Sequence, residues 1–154
     1  MSSTSFGDRH VECGTAKQVT IVILTRKLEQ APHLLDASAA EPVSHALALH
    51  INLAGLRAEA LAAFSSLTCT ERGRAAVVGD RGLHVMAAAM KIESNAAACE
   101  WGCSTFANLA CGPAEHKRAI ASVGAVAAVC GAMQAQRHRA SLQQAGCRAL
   151  TNLA

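Results

Sequence analysis

Gly102-Cys-Ser-Thr-Phe-Ala-Asn-Leu-Ala110 stands 44 residues before Gly146-Cys-Arg-Ala-Leu-Thr-Asn-Leu-Ala154, and Gly, Cys, Asn, Leu and Ala recur in register. In an alanine-rich chain such a match could arise from composition, so the flanks decide. Moving back 42 residues from Phe106, Leu109, Cys111 and Gly124 lands on Phe64, Leu67, Cys69 and Gly82. Ser38, which lies 44 residues before Gly82, marks a fainter third copy. A period of 42 to 44 residues is the spacing of helical repeats, whose units bury an apolar face by stacking on their neighbours.

Composition agrees. Of the 154 residues, 51% are hydrophobic, 16% charged and 3% aromatic, with one Trp, three Phe and no Tyr. Such a chain is too apolar for a self-repelling disordered tail and long enough to bury a core. Its apolar mass is mostly Ala, Leu and Val, and alanine is the best helix former. The aromatic and β-branched residues that a β-sandwich needs are scarce. These features predict an all-α protein.

Local signals divide each copy into three helices. In the last copy, Gly112-Pro113 opens a short helix through Lys117 and Ile120, and Gly124 ends it. A second helix over 125–133 carries Val126, Val129, Cys130 and Met133 at helical spacing, followed by a polar loop over 134–140. Ser141-Leu-Gln-Gln144 reads as a capping box opening a third helix, with Leu142, Ala145, Ala149, Leu150 and Leu153 facing inward. The middle copy repeats the scheme at 71–81, 83–90 and 96–110, with a loop at 91–95. The first is looser, at 29–37, 41–52 (Pro42 near its start) and 53–68. The predicted organisation is a disordered 1–14, a covering helix at 15–28, a degenerate repeat at 29–70 and two clearer repeats at 71–112 and 113–154.

The stretch from Phe106-Ala-Asn-Leu-Ala-Cys-Gly-Pro through Ala121-Ser-Val-Gly-Ala-Val126 resembles the armadillo repeat, the repeat of β-catenin and importin-α. There, a third helix ending in an Asn-Leu-Ala-like run is followed by Gly, a short helix and an Ala-Gly-Ala-like break. The resemblance covers 29–154, most clearly from Glu71 onward. It implies a right-handed superhelix of about three three-helix repeats whose third helices line a concave groove. It also implies protein binding, with no shared catalytic activity.

In peptide-binding members of that family, an Asn near the end of each third helix bonds the backbone of an extended peptide. Asn108 and Asn152 hold that position, with Ser66 in the first copy. An amide suits the task because it offers both donor and acceptor, and capping of the helix end is the alternative use. Nuclear-import members add Trp four residues earlier, where this chain has Ala62, Ser104 and Arg148; Arg148 favours an acidic partner. Residues four and eight apart share a helix face, so Glu100, Ser104 and Asn108 are expected along the groove from one helix and Gln144, Arg148 and Asn152 from the next. Trp101, the only tryptophan, lies seven residues before Asn108 on nearly the same face. It is a candidate anchor, or else packs against a neighbouring third helix.

The charge pattern permits a second reading. The chain carries 14 Lys and Arg against 11 Asp and Glu, yet from His116 onward it has Lys117, Arg118, Arg137, Arg139 and Arg148 and no acid. That region could attract nucleic acid or another anionic surface, although stacking aromatics and a dense basic stripe are missing. A third reading is a small thiol-dependent α-helical enzyme, since seven cysteines and seven histidines allow many pairings. No GxSxG, phosphate-binding Gly-rich loop or His-Glu-x-x-His occurs, so no enzyme, cofactor or metal is expected. Cys99 and Cys103 are four apart without a third ligand, and His45 and His50 are five apart, a poor helical match. Cys103 and Cys147, like Cys69 and Cys111, occupy equivalent positions and read as small buried hydrophobes.

No export signal opens the chain, and the apolar run from Val19 to Leu24 falls far short of a bilayer span. Free thiols then imply a cytoplasmic protein, with the nucleus as alternative, and no membrane partner is expected. The chain stops just after a third helix. That implies further repeats beyond it, a truncated product or end-to-end self-association.

Overall fold

In a computed structural model, residues 37–79 and 81–154 are described. The disordered segment expected at 1–14, the covering helix expected at 15–28 and nearly all of the short helix expected at 29–37 lie outside them. Among the described residues there are eight α-helices and no strand. A 3-10 turn at Ala37–Ala39 leads into α1 (Ala40–Leu49) and α2 (Ala54–Leu67). Then come α3 (Glu71–Gly79), α4 (Gly82–Ile92) and α5 (Ala96–Leu109), followed by α6 (Ala114–Ser122), α7 (Ala125–Ala135) and α8 (Ala140–Leu153). Both complete sets run 9, 11 and 14 residues, the short, medium, long order expected from the sequence.

The sets pack in chain order. Helix α5 lies between α2 and α8, and α4 lies between α1 and α7. The buried positions keep the period. Val43, Met86 and Val129 are all sealed from solvent, as are Phe64 and Phe106, Leu67 and Leu109, and Val77 and Ile120. Burying a side chain of this size contributes roughly 1.5–3 kcal/mol, so stability is spread evenly along the stack.

Glycines set two close approaches. A Cβ at Gly102 would overlap the sulfur of Met90, and one at Gly146 would overlap that of Met133. A mid-helix glycine costs about 1 kcal/mol against alanine, and here it lets a second helix lie close on its third. Gly124 has φ 75° and caps α7, as its place in the break predicts. Gly82 differs: it opens α4, and its constraint is space, since a Cβ would stand 3.0 Å from Val77 O and 3.2 Å from Ser44 Oγ.

Several local expectations are corrected. Helix α7 buries Ala125, Ala128, Val129 and Ala132, while Val126 is 41% exposed. The helix has no charged residue, so several faces read as apolar and spacing alone does not fix which one is buried. Ser141 does not cap α8; Arg139 takes that place without a side-chain bond, and the Ser141 hydroxyl goes elsewhere. Side-chain caps stand instead on α3, where Thr70 Oγ1 accepts from the Gly73 N–H at 3.0 Å, and on α5, where Asn95 Oδ1 accepts from the Ala98 N–H at 3.1 Å. Cys99 and Cys103 are buried, but Cys69, Cys111 and Cys147 are exposed, because they sit at helix ends or on the outer side of α8. No single described helix is long and apolar enough to cross a membrane.

Candidate protein-binding groove

The third helices α2, α5 and α8 lie side by side, and polar side chains at 40- to 45-residue separations join them. Asn108 Nδ2 donates from α5 to Ser65 O at 3.4 Å and to Thr68 Oγ1 at 3.3 Å, at the end of α2. Asn152 Nδ2 repeats the bond one set later, donating to Ala107 O at 3.0 Å and to Cys111 Sγ at 3.3 Å. Ser65 and Ala107 are 42 apart and the two asparagines 44 apart, so one device occurs twice. Each Asn ties its helix to a last-turn carbonyl of the preceding third helix. That carbonyl also accepts from a side chain of its own helix end, Ser65 O from Thr68 Oγ1 and Ala107 O from Cys111 Sγ. The amide nitrogens proposed for a peptide are therefore already engaged.

The other predicted residues divide. Ser141 Oγ donates to Glu100 Oε2 at 2.6 Å and Arg148 Nη2 to Ser104 Oγ at 3.3 Å, so Glu100, Ser104 and Arg148 meet along the α5–α8 seam. Ser104 is half-buried and Arg148 exposed, its guanidinium facing a neutral hydroxyl. Trp101 stays 39% exposed on the strip that carries Ser104 and Asn108. Gln144 is exposed and takes, by the 44-residue register, the place of Glu100, whose carboxylate points to the following helix. Among the described residues no side-chain hydrogen bond joins it to α5, so it does not join the set. Ser66 Oγ bonds back to Ala62 O at 3.2 Å within its own helix.

Sequence reasoning missed a buried ion pair between the first and second helix sets. Arg57 Nε donates to Glu93 Oε2 at 2.9 Å, with side chains only 8% and 1% exposed. Arg57 Nη1 also donates to Ile51 O at 2.8 Å, in the loop before its helix. The equivalent residues act alike: Cys99 Sγ reaches Glu93 O at 3.6 Å, and Gln143 Nε2 donates to Gln136 O at 3.3 Å. Each third helix thus holds down the loop that leads into it. A charged residue inside the apolar stripe Leu56, Ala60, Leu61, Phe64 was the available signal.

The buried thiols are chemically quiet. Burial, with the Glu93 carboxylate adding, pushes Cys99 up to about 11. Burial, with Cys99, Glu100 and Cys130 adding, pushes Cys103 up to about 12. Both stay protonated near neutral pH, the opposite of an activated nucleophile. No family model matches the chain, and no curated protein matches it closely.

Proposed function

We propose that the chain is an armadillo-like solenoid, a right-handed superhelix of about three three-helix repeats, acting as a protein-interaction module. Its partner is an extended segment carrying an acidic side chain, held against the third helices α2, α5 and α8. The observation that carries this reading is the exposed strip of the α5–α8 seam. Trp101 offers an aromatic surface there, and Arg148 offers a guanidinium whose contact is a hydroxyl. Carbonyl tethers occupy the Asn108 and Asn152 amide nitrogens, so recognition falls on Trp101, Ser104 and Arg148.

Selection from a displayed library of random peptides tests this. Enriched peptides should combine acidic and apolar residues. Trp101→Ala with Arg148→Glu should weaken them by about tenfold or more, the loss of one charge-assisted contact and one aromatic anchor, with the circular dichroism spectrum unchanged. Unaltered binding by that variant would remove the groove as the site. The acid-free stretch after Glu115 supports a second reading, binding of nucleic acid. A steep fall of affinity with salt, on DNA or RNA rather than peptide, would favour it.

A further inference from the structure

Two opposite charges stand on the seam between α5 and α8 without meeting. Glu100 Oε2 accepts from Ser141 Oγ at 2.6 Å, and Arg148 Nη2 donates to Ser104 Oγ at 3.3 Å, so each charge rests on a neutral hydroxyl. Among the described residues the ion pair is Arg57–Glu93, and Glu100 forms none with Arg148. Glu100 precedes Ser104 by one turn of α5, and its carboxylate leans toward Ser141, two turns before Arg148 on α8. The two charges are therefore roughly 5–10 Å apart along the seam.

The Glu100 carboxylate has an oxygen to spare. Oε2 takes the Ser141 hydroxyl, while among the described residues no group donates to Oε1. The one buried side-chain nitrogen or oxygen without a partner among those residues is His116 Nδ1. Oε1 of the half-buried Glu100 is therefore open to solvent. Trp101, next in the chain, belongs to the other side of α5. It lies nearly two full turns before Asn108, whose amide reaches α2, whereas Glu100 reaches α8. A segment crossing the third helices thus meets an aromatic surface, and beside it a free carboxylate oxygen and a guanidinium.

We propose that the segment bound in this groove carries a basic residue for Glu100 as well as an acidic one for Arg148, within two positions of each other. The inference rests on the groove reading above and adds a second charge to its partner. In an extended chain, side chains one apart point to opposite sides, and side chains two apart stand about 7 Å apart on one side. A base and an acid at either spacing span the seam. Glu100 is half-buried and Arg148 exposed, so each contact contributes only a few-fold in affinity. Its effect is selection, since a segment with acids alone sets a like charge against Glu100. The chain carries 14 Lys and Arg against 11 Asp and Glu, so its overall charge disfavours basic peptides. A preference for a base then has to come from a local carboxylate.

Selection from one displayed library of random peptides, run at low salt against the wild type and three variants, tests the proposal. In a single round, wild-type peptides should place a Lys or Arg within two positions of an Asp or Glu about two- to fivefold more often than the starting library does. Glu100→Gln keeps an oxygen for the Ser141 hydroxyl, and with it the seam, but removes the charge. The basic residue should then lose its enrichment while the acidic one keeps it. Glu100→Lys should give peptides with acids alone, and Arg148→Glu peptides with bases alone. Equal basic content in the wild-type and Glu100→Gln pools overturns the proposal and leaves Glu100 as a tie to the start of α8. The groove reading still stands in that case if Arg148→Glu abolishes acid enrichment. A wild-type pool with no enrichment, or one that Arg148→Glu does not alter, removes both the groove and the proposal.

Discussion

Arg57 Nε stands 2.9 Å from Glu93 Oε2, and the pair seals two helix sets together with side chains 8% and 1% exposed. Removing one member leaves the other charge buried without its partner, whereas removing both leaves no buried charge, only the neutral backbone groups of Ile51, Ser94 and Asn95 that the pair also held. Glu93→Ala should therefore destabilise the protein by about 3–5 kcal/mol, and Arg57→Met with Glu93→Met by clearly less. Urea unfolding gives both values. A wild-type midpoint for Glu93→Ala would mean that water reaches the guanidinium.

The two close-approach glycines should respond unequally. Gly102→Ala drives a methyl into Met90, which is 2% exposed and has nowhere to turn, and should cost about 1–3 kcal/mol. Met133, facing Gly146, is half-buried and can swing outward, so Gly146→Ala should cost less than half as much. Equal losses in thermal unfolding would contradict the difference in packing around the two methionines.

Much of the helix order was legible because the 42- to 44-residue period repeats both buried and break positions, as Phe64 with Phe106 and Gly82 with Gly124 show. The phase of α7 was not, since a helix without charges has no polar face to mark it. Arg57–Glu93 was invisible for another reason: partners 36 apart, one in a helix and one in a loop, leave no local pattern. The candidate site was half legible. Helical spacing put Ser104, Asn108, Arg148 and Asn152 on neighbouring faces, but it could not say that the amide nitrogens already had carbonyl partners.

The thiols should separate by reactivity and by pH. Near pH 8, Cys69, Cys111 and Cys147 should react with a maleimide within the mixing time, while Cys99 and Cys103 react only as the protein opens. Both buried thiols are raised in the folded state, Cys99 to about 11 and Cys103 to about 12, from an ordinary 9.0. Well below pH 9.0 both states keep them protonated, and their contribution to folding is present in full. From there up to pH 11–12 the unfolded chain ionises first, so this contribution is lost as pH rises. Unfolding midpoints measured between pH 8 and 11 should fall, and less steeply in Cys103→Ala after correction for its lower starting stability. A flat profile would place these thiols in contact with solvent.

The asparagine tethers give the most direct check on how successive third helices are joined. Asn108 Nδ2 donates to Ser65 O and Thr68 Oγ1 at the C-terminal end of α2, where the last carbonyls gather partial negative charge. Asn108→Ala removes the donor and should cost about 0.5–1.5 kcal/mol. Asn108→Asp removes the same donor and sets a carboxylate against those carbonyls, so it should cost more than alanine even though it is closer in shape. If the side chain instead faces solvent, the two variants should differ by no more than the roughly 0.3–1 kcal/mol that a carboxylate in the last turn of its own helix costs. The same pair at position 152 should follow the same order, because Asn152 meets Ala107 O at the end of α5. Lowering the pH through the carboxylate range should narrow the gap between each aspartate and alanine variant, since a protonated acid no longer repels the carbonyls. Denaturant unfolding of the four variants measures the order. Aspartate at least as stable as alanine at both positions would show that the amides do not bridge the helices.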